Sequence, residues 1–481
     1  MINFASLLTQ EQVERVHDAS LEILENVGLL VRNEKARSIF DKHGCKVDQE
    51  TLYVKFPRAI TEKYRAMLQP TFTFHGRDPK HDRTIPQDGP IIITGSSAPN
   101  IIDPITGEER RARSDDIARI AHLINELSAI DVFSISTLAD DAPEGQFTLA
   151  RLYPALKYCA KPIRSTTKDM EDILTIMKML YAVAGSEEAY REHPFVTHHY
   201  CPVVSPMTMD KLSTEAIIYF SELGLPVYPS IVPNAGLTSP MSMAGTVVQG
   251  NAEFLAAAVL MQMVREGTKT IYASLPTVAD MRSGAYASGG IECGMLHMAF
   301  AQMAHFYHVP CGGYIGLSNS KLNDAQSGYE TGMSSVAGVL AGADMLNMAG
   351  LLDALKVFDF AKAVIDDEVA QMLKRVKRGI TFSEDELALD VIANVKPGGS
   401  FLMNPHTTKR MKTEALLTKI SDRDQRNIWE KKGALDARGH AMQRANEILA
   451  KNTASLISEE AEQRLRKEFP NLIQSELEMP K

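Results

Sequence analysis

The sequence predicts an α/β protein built on a (β/α)8 barrel of the TIM type. Short runs of apolar and β-branched residues recur eight times, and helical patterns separate them. The cores of these runs are mostly apolar, which is typical of parallel strands that are covered on both faces. The recurring strand–helix unit favours closure into a barrel, although a doubly wound open sheet would show the same count of strands. The eight runs begin at residues 91, 132, 162, 195, 227, 270, 309 and 345.

The barrel is predicted to fill residues 89–365, with a further segment on each side. Residues 1–88 form an N-terminal extension of helices and short strands, and Thr9 with Gln12 makes a capping box at the first helix. Beyond residue 365 the apolar strand patterns stop, and helical patterns such as VIDDEVAQMLKRVKRG follow. We therefore expect residues 366–481 to form a C-terminal helical extension packed on the barrel.

Composition and charge narrow the class of protein. A net charge of −9 with a pI near 5.9 argues against an extended nucleic-acid surface. The five cysteines are scattered and odd in number, which suits free thiols in a reducing cytoplasm better than a disulfide framework. No signal peptide is expected, and the most apolar stretch, at 254–264, is too short to span a bilayer. These patterns predict a cytoplasmic protein with no nucleic-acid or membrane partner.

Familiar cofactor motifs are missing from the sequence. No GxGxxG follows a strand, no P-loop is present, and no HExxH, EF-hand loop or GxSxG elbow occurs. The nearest sets of metal ligands are His198 with His199, and His305 with His308. Adjacent histidines on a strand point to opposite faces, and helix positions three apart are common by chance. We therefore expect no metal bound by this chain.

A binding site is expected at the C-terminal ends of the barrel strands. Tyrosines at several strand ends would box a cation with their ring faces, although a tyrosine within a strand is more often a core residue. Arg282, in the glycine-flanked ADMRSGAY, would hold a carboxylate with its planar fork of donors, although most loop arginines face water. The predicted binding residues are Tyr200, Tyr228, Tyr272, Arg282, Tyr314, Asn319 and Asn347.

A junction of small residues leads from the seventh strand into the next helix. The stretch GGYIGLSNSKLNDAQSGYE starts at Gly312, and glycines let the backbone approach a ligand closely. We expect this loop to line the site, although an ordinary tight loop would show the same composition. The predicted site-lining residues are Gly312, Gly313, Gly316 and Ser318.

Longer segments carry a resemblance to a known family. The segments LTSPMSMAGTVVQGNAEFLAAAVLMQMVREGTKTIYA, ADMRSG, GLSNSKLNDAQSGYE and PGGSFLMNPHTTKRM resemble the trimethylamine methyltransferase (MttB) family. The tail NIWEKKGALDARGHAMQRANEIL and the opening helix are similar too, so the resemblance covers nearly the whole chain. It implies a (β/α)8 barrel that transfers a methyl group from a methylated amine to the cobalt of a separate corrinoid protein.

One departure from the family pattern bears on the substrate. The archaeal trimethylamine enzymes carry pyrrolysine in the barrel, whereas this chain contains only the twenty ordinary residues. It therefore resembles the non-pyrrolysine branch, whose members demethylate quaternary amines such as glycine betaine. When Co(I) attacks a methyl group of a quaternary ammonium, a neutral tertiary amine leaves, so the protein needs mainly positioning and a pocket that tolerates a cation.

These features predict a methyltransferase that moves a methyl group from glycine betaine to the Co(I) of a cognate corrinoid protein and releases dimethylglycine. The cobalamin-type cofactor is carried by the partner, and a homo-oligomer is expected. Alternatives within the family are trimethylamine, proline betaine or carnitine as the substrate. A non-catalytic betaine-binding protein is the alternative from another class. A lyase or aldolase is a weaker one, since only Lys321 lies near a strand end as a Schiff-base candidate.

Overall fold

The computed structural model describes residues 4–451 and 453–472, and a barrel of eight parallel strands lies at its centre. The backbone N–H groups of Asp131 and Val132 donate to the carbonyl of Ile92 and so join the second strand to the first. The predicted (β/α)8 barrel is therefore confirmed over the open sheet. The strands are β1 Ile91–Thr94, β2 Phe133–Ser134, β3 Ile163–Ser165, β4 Val196–Tyr200, β5 Val227–Ile231, β6 Tyr272–Ser274, β7 Cys311–Gly313 and β8 Met345–Ala349.

A helix follows each barrel strand and covers the outside of the ring. The last of these helices runs through the boundary predicted at residue 365, because its buried face continues from Val364 to Leu373. A short helix, Glu187–Glu192, lies between the third and fourth units. The eight helices are α1 Ser114–Glu126, α2 Phe147–Tyr158, α3 Met170–Ala184, α4 Leu212–Leu223, α5 Met243–Val264, α6 Ile291–Phe306, α7 Ala325–Leu340 and α8 Phe360–Arg378.

Helix α5 is apolar on nearly all sides. Within the described residues it alone is long and apolar enough to cross a membrane, yet 83% of its apolar window is buried inside the protein. The helix packs between the barrel and the N-terminal segment, so that both of its faces meet protein. A helix that is buried all round needs no polar face, which accounts for the composition of α5.

The N-terminal extension covers α5 and fills one end of the barrel. Its first helix, Gln10–Asn26, begins at the predicted capping box and packs on α5, where Ser20 Oγ donates to the carbonyl of Val248 at 3.0 Å. A hairpin inserts two phenylalanines into the interior cluster at the N-terminal ends of the strands. The other elements of the extension are Leu29–Val31, Glu34–Lys42, Lys46–Val47, Tyr53–Lys55, Arg58–Arg65, Phe72–Phe74, Pro79–His81 and Arg83–Ile85.

Small sheets extend the loops at the C-terminal ends of the barrel strands. One sheet joins the loops after β1 and β8, a second joins the loops after β5 and β6, and a third ties the loop after β4 to the N-terminal extension. These sheets fix the loops that surround the mouth of the barrel. Their strands from the loops are Asn100–Ile102, Glu109–Arg111, Val203–Val204, Thr208–Met209, Asn234–Ala235, Thr277–Asp280, Ala285–Ala287, Leu351–Leu352 and Val357–Phe358.

The C-terminal segment has two parts of different character. The helices Ala437–Leu449 and Glu459–Glu468 pack on the barrel helices and bury apolar side chains such as Ile448 and Leu465. The helices between them and α8 bury none of their residues in this chain: Glu384–Leu387, Leu389–Val395, Pro405–Glu414 and Arg426–Lys431. Exposed apolar side chains in this part are Ile380, Phe382, Leu389, Ile392, Phe401, Leu402, Met403, Met411 and Leu417.

Candidate active site

Side chains from neighbouring strands meet inside the barrel near the C-terminal ends of the strands. His199 on β4 is paired in register with Tyr228 on β5, and their ring centroids lie 5.0 Å apart. A guanidinium nitrogen of Arg164, on β3, donates to the Tyr228 hydroxyl at 3.2 Å. Because side chains alternate between the two faces of a strand, these three residues share the inner face of the barrel.

Arg164 is the centre of a network of hydroxyl groups. Its Nε donates to Ser134 Oγ at 2.9 Å, and its Nη2 donates to the Tyr314 hydroxyl at 2.9 Å and to Ser96 Oγ at 3.2 Å. The guanidinium carbon also lies 5.2 Å from the centroid of the Tyr314 ring. We call Arg164, Ser96, Ser134, Tyr228 and Tyr314 the arginine pocket.

The groups around Arg164 carry no charge that balances its own. Burial lowers the pKa of His199 well below its usual range, and the nearby charge of Arg164 lowers it further, so the imidazole is neutral at pH 7. Burial raises the pKa of Tyr228, which keeps its phenol protonated. Among the described residues no carboxylate pairs with Arg164, although the residue is only 2% exposed.

An apolar and aromatic cluster lies against Tyr314. Leu275, Tyr314 and Leu317 are buried together, and Val232 and Tyr286 pack against them. The hydroxyl of Tyr286 is buried beside Thr277, and burial raises the pKa of Tyr286. We call the five residues of this cluster the aromatic wall. Tyr314 belongs to both groups, so a buried cation with hydroxyl donors and an aromatic and aliphatic surface adjoin at one side chain.

The glycines of the predicted site loop have packing roles. A Cβ atom on Gly312 would lie 2.1 Å from the carbonyl oxygen of Met345, and one on Gly313 would lie 1.9 Å from that of Ser274, on the two flanking strands. Gly316 has φ +91°, and a Cβ atom there would lie 2.2 Å from Ser335 Oγ on α7. These glycines therefore let β7 and its loop approach the neighbouring backbone and helix. The structure does not place Gly316 beside the arginine pocket.

Ser318 and Asn319 hold two loops together at the mouth of the barrel. Ser318 Oγ donates to Glu330 at 2.7 Å, and the same carboxylate accepts from the backbone N–H of Asn319 at 2.8 Å. The side chain of Asn319 donates to the carbonyl of Tyr286 at 2.8 Å and accepts from the N–H of Gly289 at 2.7 Å. Asn319 thus positions the segment that carries Tyr286, one of the residues of the aromatic wall.

Two of the predicted tyrosines face away from the barrel interior. Tyr272 stacks on Phe254 at 3.8 Å between ring centroids, and its hydroxyl donates to Asn251 at 3.0 Å, both on α5. The Tyr200 hydroxyl shares a hydrogen bond of 2.6 Å with Thr167, and its ring belongs to the core between strands and helices. Tyr228 and Tyr314 reach the interior, whereas the alternation of strand side chains turns Tyr200 and Tyr272 outward.

Arg282 and Asn347 lie in contrasting surroundings. The side chain of Arg282 is 89% exposed and forms an ion pair with Asp280, two residues earlier in the chain, so the structure does not bring it to the arginine pocket. Asn347 on β8 is 1% exposed, and its carbonyl oxygen has no hydrogen-bond partner among the described residues. It lies two positions after Met345, which fills the barrel interior, so the two share that face.

The reasoning from sequence missed the residue at the centre of the site. Arg164 lies in the run PIRSTT, where a single charged residue interrupts a strand pattern. Arginine is almost never fully buried without a partner, so a charged residue in a predicted parallel strand was the available signal. His199 had been considered only as a metal ligand, and no signal distinguished Tyr286 from other loop tyrosines.

One group of side chains in the described ranges has the spacing of a metal site. His75, Asp82 and His193 lie together at the N-terminal end of the barrel, on the side opposite the arginine pocket. His75 is hydrogen-bonded to Asp82 at 2.9 Å, and His193 is hydrogen-bonded to the carbonyl of Gly76 at 2.7 Å and lies 3.6 Å from Asp82, which accounts for the cluster. The expectation that catalysis needs no metal held by this chain stays a prediction.

Comparison with known proteins identifies the family. The family model for trimethylamine methyltransferase (MTTB) matches residues 1–473. The chain belongs to this family and is a methyltransferase, as the resemblance in its sequence implied.

Particular relatives differ in the amine that their names state. A glycine betaine methyltransferase of Desulfitobacterium hafniense (strain Y51) is 32% identical over 464 residues, which cover 96% of each chain. A trimethylamine methyltransferase MttB of D. hafniense (strain DSM 10664 / DCB-2) is 30% identical and covers 95% of this chain and 92% of its own. The crystal structure of the Methanosarcina barkeri monomethylamine methyltransferase (MtmB) covers 91% of both chains with a TM-score of 0.50 and 12% identity. That structure supports the barrel fold alone.

Proposed function

We propose that this protein transfers a methyl group from a quaternary amine, with glycine betaine as the first candidate, to the Co(I) of a cognate corrinoid protein. The tertiary amine, dimethylglycine in the case of glycine betaine, is the other product. The observation that carries the proposal is the aromatic wall at the mouth of the barrel, built from Val232, Leu275, Tyr286, Tyr314 and Leu317. Ring faces and aliphatic carbon suit a trimethylammonium group, each ring contributing about 0.5–2 kcal/mol when water is excluded.

A quaternary ammonium suits such a wall better than a protonated tertiary amine does. Protonated trimethylamine carries one N–H, which would cost about 1–3 kcal/mol if it faced rings and aliphatic carbon rather than the Tyr286 hydroxyl. A quaternary ammonium has no N–H and loses nothing of this kind. The relative from strain Y51 that is named for glycine betaine supports the same choice.

Methyl transfer from a quaternary ammonium requires the protein mainly to position the substrate. Co(I) forms a bond to the methyl carbon, the C–N bond breaks, and its electron pair stays on nitrogen, which becomes a neutral tertiary amine. No proton moves, so the residues of the site need to hold the ammonium group with one methyl directed toward the open end of the barrel. The corrinoid of the partner protein would approach from that end, since the C-terminal ends of the strands hold the site in barrels of this type.

We further propose that the protein works in the cytoplasm as a homo-oligomer. All five cysteines are free, which suits a reducing compartment. The exposed apolar side chains between residues 380 and 417 lie in, and between, helices that bury none of their own residues in this chain, and a second copy would cover them. The division into an N-terminal extension, a barrel and a C-terminal extension is kept as part of this proposal, with α8 counted in the barrel.

A methylation assay with Co(I) cobalamin tests the proposal. The panel contains glycine betaine, choline, tetramethylammonium and trimethylamine, and the absorbance of the cobalt reports the transfer. We expect at least one quaternary amine to methylate cobalt faster than trimethylamine does. Faster methylation from trimethylamine than from every quaternary amine would overturn the choice of substrate.

A further inference from the structure

Within the part of the chain that the structure describes, Arg164 is a buried cation without a partner anion. It lies 2% exposed inside the barrel, and its hydrogen bonds go to the hydroxyls of Ser134, Tyr228, Tyr314 and Ser96. Burying an unpaired charge is costly, and an arginine held inside a protein normally meets a carboxylate or a phosphate. The described residues offer it neither, so its charge is left for a ligand to balance.

A second buried arginine shows what a structural role looks like in the same barrel. Arg151, on α2, donates to the backbone carbonyls of Thr137 and Ile135 and to Ser97 Oγ. These bonds satisfy carbonyl groups at the end of β2, which accounts for a guanidinium at that position. Arg164 donates to no carbonyl group, and four side-chain hydroxyls surround it instead. Such hydroxyls accept from the guanidinium and can donate their own hydrogens to an anion.

The two arginines border one small cavity. Its lining includes Ser96, Ser134, Arg151, Arg164 and His199. The lining is therefore rich in donors, and its imidazole is neutral, because burial and the charge of Arg164 lower the pKa of His199. These donors suit a carboxylate, which accepts two parallel hydrogen bonds from an arginine, and the cavity of about 10 Å³ would have to widen to admit one.

We infer that Arg164 binds the carboxylate of a betaine substrate and thereby selects zwitterions over simple quaternary amines. The inference rests on the proposed function and names the substrate class for that site. Tyr314 sets the orientation, because it contacts the guanidinium on one side and belongs to the aromatic wall on the other. In glycine betaine one methylene separates the carboxylate from the ammonium. This short spacing matches the arginine pocket and the aromatic wall, which share the side chain of Tyr314. The carboxylate points into the barrel, and the methyl groups point to the mouth.

Binding measurements without a corrinoid test the inference. Calorimetry compares glycine betaine with choline and tetramethylammonium, which share the trimethylammonium head and lack the carboxylate. The wild-type chain is expected to bind glycine betaine about 10 to 100 times more tightly than either. Arg164→Lys keeps the positive charge and loses the paired donors of the guanidinium. It should therefore raise the dissociation constant of glycine betaine at least tenfold and change that of choline by no more than about twofold. Arg282→Lys replaces an exposed arginine and is the matched control. It should change neither of the two dissociation constants.

Each result decides the question. Equal wild-type affinity for glycine betaine and choline, or unchanged affinity in a folded Arg164→Lys protein, would overturn the carboxylate site. If Arg164→Lys fails to fold, the wild-type comparison of the three ligands gives the decision alone. Failure of every quaternary amine to methylate cobalamin would reject the proposed function, whereas preferential binding of glycine betaine would still support the carboxylate site. Methylation from choline and tetramethylammonium as fast as from glycine betaine would contradict the carboxylate site at Arg164. It would still support methyl transfer from a quaternary amine.

Discussion

The replacement Gly316→Ala separates a packing role of the site loop from a role in lining the reaction space. The new Cβ atom would lie 2.2 Å from Ser335 Oγ and 3.2 Å from the Cβ atom of Met348. At φ +91° an alanine also adopts a left-handed backbone conformation, which costs about 1–2 kcal/mol. Relief of the overlap by shifts of α7 adds about 1–3 kcal/mol. We therefore expect the free energy of unfolding to fall by about 2–5 kcal/mol.

The contribution of the overlap can be measured by removing its partner. Ser335→Ala deletes the oxygen atom, whose recorded contact is the Met348 sulfur at 3.7 Å, so it should cost little alone. Combined with Gly316→Ala, it should restore about 1–3 kcal/mol and leave the backbone strain. Gly328→Ala on α7 is the control: a Cβ atom there meets nothing within 4 Å, so the change should stabilise the helix by about 0.5–1 kcal/mol.

Chemical denaturation and the rate of cobalamin methylation are measured on the same proteins. A Gly316→Ala protein that unfolds like the wild type would refute the packing account, and so would the absence of rescue by Ser335→Ala. A large loss of transfer rate at unchanged stability would show that this glycine borders the reaction space instead. That outcome would restore the sequence-based role of the loop.

Three further predictions concern titration and the loops at the mouth. Burial lowers the pKa of His198 to about 3 and that of His297 to about 4. The unfolded chain takes up protons on these imidazoles below pH 6.5 and the folded chain does not, so stability is complete above pH 6.5 and falls toward pH 4, by about 1.4 kcal/mol per pH unit for each histidine. His198→Phe should remove the contribution of one histidine proton to the change of unfolding free energy with pH, as measured by denaturation at several pH values. Asn319→Ala frees the Tyr286 segment and should lower the transfer rate roughly tenfold. Tyr286→Phe removes a buried hydroxyl whose neighbour is Thr277 and should change the free energy of unfolding by about 1 kcal/mol or less and the transfer rate by less than about twofold.

Each of these expectations has an opposing result. An unchanged pH dependence in His198→Phe would mean that the imidazole is protonated in the folded state. Wild-type transfer by Asn319→Ala would show that the Tyr286 segment holds its place without the amide. A strong loss of transfer in Tyr286→Phe would assign the hydroxyl, rather than the ring face, to the substrate.

The strand pattern of the sequence was sufficient for the barrel, but the site depended on information that the pattern lacks. Apolar runs located all eight strands because a parallel strand is buried on both faces. For the same reason the runs do not show which alternate residues face inward, so Tyr228 and Tyr272 look alike in sequence. The structure turns Tyr228 to the interior and Tyr272 to α5. Only the register of the strands decides between the two faces.

The residue for the substrate carboxylate was sought in a loop, and the residue that we propose for it lies in a strand. Arg282 attracted attention through its glycine-rich surroundings, whereas its guanidinium pairs with the neighbouring Asp280 in water. Arg164 was overlooked, although a charged residue in a buried strand needs a specific hydrogen-bond or ion-pair partner. Its four hydroxyl partners come from β2, β5 and the loops after β1 and β7, and sequence spacing does not predict their convergence.

The fate of a labelled methyl group tests the central claim most directly. Glycine betaine labelled with ¹³C in its methyl groups is incubated with the intact protein and Co(I) cobalamin, and NMR follows the label. The account predicts a cobalt-bound ¹³C-methyl group and an equal amount of dimethylglycine, both absent without the protein. Tight binding of glycine betaine with no label on cobalt would contradict it and would identify a betaine-binding protein instead.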